Sequence, residues 1–184
     1  MNAPDGRVDP NRRTLVRLSE DLKYAQPGPA APPAPKNSIW EGDSAQWSQT
    51  QKLESLNPEF CTQTVEVIAE LQRRGFKPHI VYGWRSVAVQ AELVRQKRSK
   101  VRFSFHNAQK KTGEPNAYAA DIIDKRYAWG AAAEQSGFWK ALGEAAHARS
   151  LYWGGDWVTF QDVAHIQFLP NSALARLRRE NGII

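Results

Sequence analysis

From about residue 38 onward, the apolar positions follow two spacings that alternate along the chain. In "NPEFCTQTVEVIAELQRRG", Phe60, Val67, Ile68 and Leu71 recur at the three-and-four interval of a helix face. Asn57 stands at the cap, Pro58 at the first helical position and Gly75 at the stop. "KPHIVYGW" predicts a short strand, and Ser86 caps a second helix over "SVAVQAELVRQKR". "VRFSF" alternates as a strand does and delivers His106 at its end, while "YAADIID" has the apolar run of a buried strand. "FWKALGEAAHARS" is helical, "LYW" and "AHIQFL" are strand-like, and "NSALARLRRENG" predicts a capped terminal helix. Helices and short strands interleave without a repeating βαβ unit. The expected fold class is therefore α+β, with helices packed on a small antiparallel or mixed sheet.

Residues 1–37 break this pattern. Seven of the chain's 11 prolines fall there, ending in "AQPGPAAPPAPKN". Such a segment favours extended conformations and cannot bury a core, so it is expected to be a Pro/Ala-rich tail or linker ahead of one domain over 38–184. The N-terminus has no apolar stretch of the kind a secretory signal needs, and no run approaches the ~18 apolar residues of a membrane span. The expectation is a chain made in the cytoplasm, without membrane insertion. The single cysteine, Cys61, excludes an intrachain disulfide and the Cys-rich zinc ribbons, and its helical position fits a small buried residue. A net charge of +6 suits an anionic partner, but the bases are scattered among acids, so a solvated surface explains most of them and nucleic acid is not expected.

Candidate chemistry narrows to the four histidines. His79 lies mid-strand and His147 near a helix C-terminus, where a histidine favours the dipole, so both read as structural. His106 and His165 each sit on or beside a short strand with an aspartate near in sequence: Asp121 across a loop from His106, and Asp162 three residues before His165. Two imidazoles and one carboxylate, with a fourth position open, make up a catalytic zinc site. A further carboxylate outside the ligand set is needed to move protons. By spacing alone, two satisfied core histidines are the better explanation of the pattern.

The flanking residues add to it. "YGWRSVAVQAEL", "SFHN…AYAADI" and "LYWGGDWVTFQDVAHIQF", in this order, resemble the zinc peptidases of the D-alanyl-D-alanine carboxypeptidase and L-alanyl-D-glutamate peptidase family, which includes VanY-like enzymes and phage endolysins. The resemblance spans about residues 52–170. It implies zinc, one per chain, on His106, Asp121 and His165 at the strand ends, Asp162 as general base, and Arg85 as the group facing the oxyanion or a substrate carboxylate. A guanidinium keeps its charge beside a metal, which suits that role. Ser104, Gln90, Asp156 and Trp157 fall at positions expected to touch substrate or to support the ligands; Asp156 is expected to order the Gly-Gly turn rather than to act as base. One departure is visible: compact family members place the aspartate seven residues after the histidine, whereas Asp121 follows His106 by fifteen, so about eight residues of "QKKTGEPN" are inserted between two ligands. Insertions of that length cost little free energy. The loop over 108–118 is expected to reshape the cleft or to act as a lid.

The resemblance implies a zinc metallopeptidase acting on peptidoglycan stem peptides. "WGGDW", and Asp rather than Glu at the base position, favour an L-alanyl-D-glutamate-type endopeptidase; a D-alanyl-D-alanine carboxypeptidase is the alternative, and a non-catalytic cell-wall-binding module the second. Without a signal peptide, access to the wall is expected through release or dedicated export. Nothing in the sequence sets an oligomeric state.

Overall fold

A computed structural model of the chain describes residues 40–41, 44–97, 99 and 101–183. The expected tail over 1–37 and the expected domain start at 38 lie outside the described residues.

Among the described residues, six α-helices and four strands follow one another. Helix α1 (Gln49–Glu54) is capped by Ser48, whose side chain accepts from the Gln51 amide. Helix α2 (Pro58–Arg73) starts as expected, with the Asn57 side chain accepting from the amides of Glu59 and Phe60. Phe60, Val67 and Leu71 are buried, and Thr64 completes the buried face at helical spacing. Strand β1 (Pro78–Tyr82) leads into α3 (Val87–Arg95), which Ser86 caps. Strand β2 (Ala119–Asp124), α4 (Ala131–Gln135), α5 (Phe138–His147), β3 (Tyr152–Trp153), β4 (His165–Gln167) and α6 (Leu174–Glu180) complete the order. Helices α1 and α4 span six and five residues, too few for a helical period to show in the sequence.

The strands form one sheet in the order β1-β2-β4-β3, every described pair antiparallel. Helices α2 and α5 pack on each other and cover it, with Phe60, Val67 and Leu71 meeting Ile80, Ile122, Phe138, Leu142 and Ile166. Burying each such side chain contributes roughly 1.5–3 kcal/mol, which is what holds so short a sheet together. The α+β expectation holds, and the sheet is antiparallel rather than mixed.

"VRFSF" is not a strand. Residues 101–104 are irregular, and Phe105–Asn107 form a 3-10 turn. The alternation misleads because Phe103 and Phe105 both point into a second, smaller core with Ala108, Ala119 and Leu177. The backbone there bonds to a side chain instead of a neighbouring strand: the Ser104 amide and hydroxyl both donate to Asn107 Oδ1, at 2.7 and 3.1 Å.

The inserted loop is a closed hairpin. Gln109 bridges Pro115, the Lys110 amide donates to the Glu114 carbonyl, and Gly113 takes the positive φ of the turn. Its bonds outside itself anchor it at three places, one of them Tyr118, whose amide donates to the Phe105 carbonyl and whose carbonyl accepts from the Phe168 amide. The Gln109 amide donates to Asn181 Oδ1 just past α6, and Ala117 exchanges main-chain bonds with Ser55 and Asn57 beside α2. Among the described residues, none of its hydrogen bonds reaches His106, Asp121, His165 or Arg85. The loop braces α6 and α2 and, through Tyr118, the main chain of Phe105 next to His106.

Candidate metal centre

Strand register brings the first two ligands together. Asp121 on β2 lies directly opposite His165 on β4, and on its other side β2 faces Tyr82 of β1 across a bulge. The third comes from the 3-10 turn: the Arg85 amide donates to the His106 carbonyl, and Asn107 Nδ2 donates to the Arg85 carbonyl. This ties the His106 turn to the end of β1. His106 Nε2 stands 3.3 Å from His165 Nδ1 and 3.3 Å from Asp121 Oδ1, and His165 Nδ1 lies 3.0 Å from Asp121 Oδ1. Among the described residues, these three form the group of His, Cys, Asp or Glu side chains placed to hold a metal ion.

The donor set fits zinc. Tetrahedral ligands at bond lengths of about 2.0–2.1 Å stand roughly 3.3 Å apart, close to the observed triangle, and three protein donors leave a fourth position free. Both histidines are buried and their outer nitrogens are engaged. His106 Nδ1 donates to the Gly83 carbonyl at 2.6 Å and His165 Nε2 to Gln167 Oε1 at 3.0 Å, so each ring turns its other nitrogen inward. Burial disfavours charge on Asp121, but the two imidazoles outweigh it and hold the carboxyl well below its usual range. Burial likewise opposes a charged His165, yet Asp121 and then Asp162 raise its pKa above the ordinary value. So many lone pairs turned on one point call for a cation or shared protons.

Asp162 lies beside this triangle and outside it. Its amide donates to the Gly154 carbonyl at 3.0 Å, and its carbonyl accepts from the His165 amide at 3.1 Å. Burial, then the charge of Asp121, push its carboxyl up to about 6. The "WGGDW" stretch is the mould for this segment. A Cβ on Gly154 would run into the Asp162 main-chain carbonyl, and one on Gly155 into the Trp153 indole. That indole donates to the Val163 carbonyl at 2.8 Å, closing the turn from the other side. Gly154→Ala is thus expected to shift Asp162 and cost about 1–3 kcal/mol, read as a lower Tm and slower hydrolysis with metal content unchanged.

Arg85 is held from two sides: Nη1 donates to Gln90 Oε1 at 3.1 Å, and the guanidinium lies 4.7 Å above the Tyr82 ring. Gln90 is buried and bonds Ser99 and the Val101 carbonyl through its amide nitrogen, so it is a brace for Arg85. Trp157 packs against His165, ring centroids 5.2 Å apart. Ser104, not on a strand, does not share a face with His106; its hydroxyl bonds Asn107. Asp156 pairs with His147 at 2.7 Å on the exposed side of the Gly-Gly turn, tying that turn to the end of α5. Two supports were not foreseen. Gln167 had a signal, since residues two apart on a strand share a face and it follows His165 by two. Asn107 had none beyond being polar in a buried run.

Residues 99–168 match the family model described as D-alanyl-D-alanine carboxypeptidase, a stretch that holds His106, Asp121, Asp162 and His165. Over this segment the chain is similar to that peptidase family. The ligand triangle together with this likeness marks the chain as a metallopeptidase. Among solved structures it is similar to an L-Ala D-Glu endopeptidase, ChiX, of Serratia marcescens, at 26% identity over 72% of this chain and 94% of that one, with a TM-score of 0.43. No helix among the described residues is long and apolar enough to cross a membrane.

Proposed function

We propose that this chain is a zinc-dependent peptidase that hydrolyses peptidoglycan stem peptides, favouring an L-alanyl-D-glutamate-type bond. The observation that carries the proposal is the triangle of His106 Nε2, Asp121 Oδ1 and His165 Nδ1, with Asp162 moulded beside it. When bound there, zinc would supply Lewis-acid polarisation of the scissile carbonyl and an acidified water. The chain's own residues do the rest. Asp162 takes the proton from the attacking water and returns it to the leaving amine, a task for a carboxylate beside the metal ligands and outside their set. Arg85, fixed by Gln90 and Tyr82, opposes the negative charge that develops on the carbonyl oxygen or receives a substrate carboxylate. Trp157 gives the apolar wall next to His165.

The endopeptidase preference rests on "WGGDW" and on aspartate at the base position. The family description favours a second outcome, removal of a terminal D-alanine. A wall-binding module without activity is disfavoured because Asp162 and Arg85 are both present and both held in place. Digestion of purified peptidoglycan followed by mass spectrometry of the new ends decides among them. New L-alanine and D-glutamate termini are expected; free D-alanine as sole product would make it a carboxypeptidase, and intact wall with zinc bound would make it a binding module.

A further inference from the structure

Gln167, the last residue of β4, has 1% of its surface exposed and makes three side-chain hydrogen bonds. Its amide nitrogen donates to the Leu169 carbonyl at 2.6 Å and to Asn171 Oδ1 at 2.9 Å. A main-chain carbonyl only accepts, so the NH2 end of the amide is fixed at Leu169. Oε1 must then face the other way, where it meets His165 Nε2 at 3.0 Å. That oxygen only accepts as well. His165 therefore carries a hydrogen on Nε2 and turns Nδ1 toward His106 Nε2 and Asp121 Oδ1.

We infer that Gln167 is the positioning residue of the metal centre: it selects Nδ1 of His165 as the ligand atom, fixes the ring plane, and so sets how tightly the chain holds its metal. The inference rests on the metal-site proposal above. The two histidines differ in how they are aimed. His106 is aimed by the Gly83 carbonyl, which no side-chain substitution removes. His165 is aimed by a side chain, anchored in turn to the corner that opens the 3-10 turn before α6. A glutamine needed only for folding would be satisfied by Leu169 and Asn171; the bond to His165 is what adds a function. Losing an outer partner of a ligating histidine typically weakens metal binding about 10–100-fold.

The test is zinc affinity of the full chain by competition with a chromophoric chelator, for wild type and Gln167→Met, an apolar replacement of similar length. Metal-free Q167M, shown by circular dichroism to be folded, is expected to bind zinc about 10–100-fold more weakly. Equal affinity in the folded variant overturns the inference. A measurement on the wild type stands independently of how the variant folds: nitrogen-15 histidine NMR of the zinc-loaded protein. Zinc on His165 Nδ1 with a hydrogen on Nε2 is expected, and zinc on Nε2 overturns it. If the wild type binds no zinc, the metal-site proposal itself falls. If it binds zinc with Q167M unaffected, only the role of Gln167 falls.

Discussion

Asp162→Asn is expected to slow stem-peptide hydrolysis by about 10²–10⁴-fold while zinc stays bound as in wild type, because proton transfer by a positioned carboxylate contributes that much. The amide keeps the shape and the main-chain bonds to Gly154 and His165, so the mould around it persists. It cannot take or return a proton. A second consequence follows from burial. The Asp162 carboxyl is raised to about 6 in the metal-free fold, above its ordinary 3.8. An acid raised on folding prefers the unfolded chain once ionised, so it destabilises the fold as pH rises from about 4 through 6 and fully above that. Metal-free Asp162→Asn is thus expected to melt higher than metal-free wild type at pH 7–8, and equally at pH 3. Kinetics and zinc content measured together check the first part, and thermal melts across pH the second. Near-normal rates would remove Asp162 from the mechanism.

Asp121→Ala is expected to act on the metal itself. It removes the single anionic donor from between two imidazoles, at the one residue that stands within 3.3 Å of both. Zinc affinity should fall well beyond the ~10–100-fold typical of losing an outer partner, and hydrolysis should fall with it. The contrast with Asp162→Asn is diagnostic: one variant loses metal and activity together, the other activity alone. Competition with a chelator, followed by a digestion assay at saturating zinc, separates the two. Retained zinc affinity in Asp121→Ala would mean that the cation sits elsewhere.

The sequence made the helix ends and all four strands plain because each is written locally. Asn57 with Pro58, and Ser86 before "VAVQ", are caps whose side chains bond the next turn. The ligands were legible through motifs, but what joins them was not. That Asp121 stands opposite His165 is a fact of register, which depends on pairing between residues 44 apart. "VRFSF" shows the converse failure: alternation arises in a strand, but also where two phenylalanines of an irregular segment reach one small core. The inserted hairpin shows a third limit, for its exposed tip is as polar as any loop, and its docking on Asn181, Ser55 and Asn57 appears only in the fold. Gln167 and Asn107 act through bonds to a ligand or its turn, so their roles appear only once the turn is built.

The central claim is that His106, Asp121 and His165 hold the zinc on which hydrolysis depends. Metal content by mass spectrometry, paired with peptidoglycan digestion before chelation, after chelation and after zinc is restored, tests it most directly. One zinc per chain, loss of hydrolysis on its removal and recovery on its return are predicted. Hydrolysis that continues at full rate in the metal-stripped protein would contradict the claim.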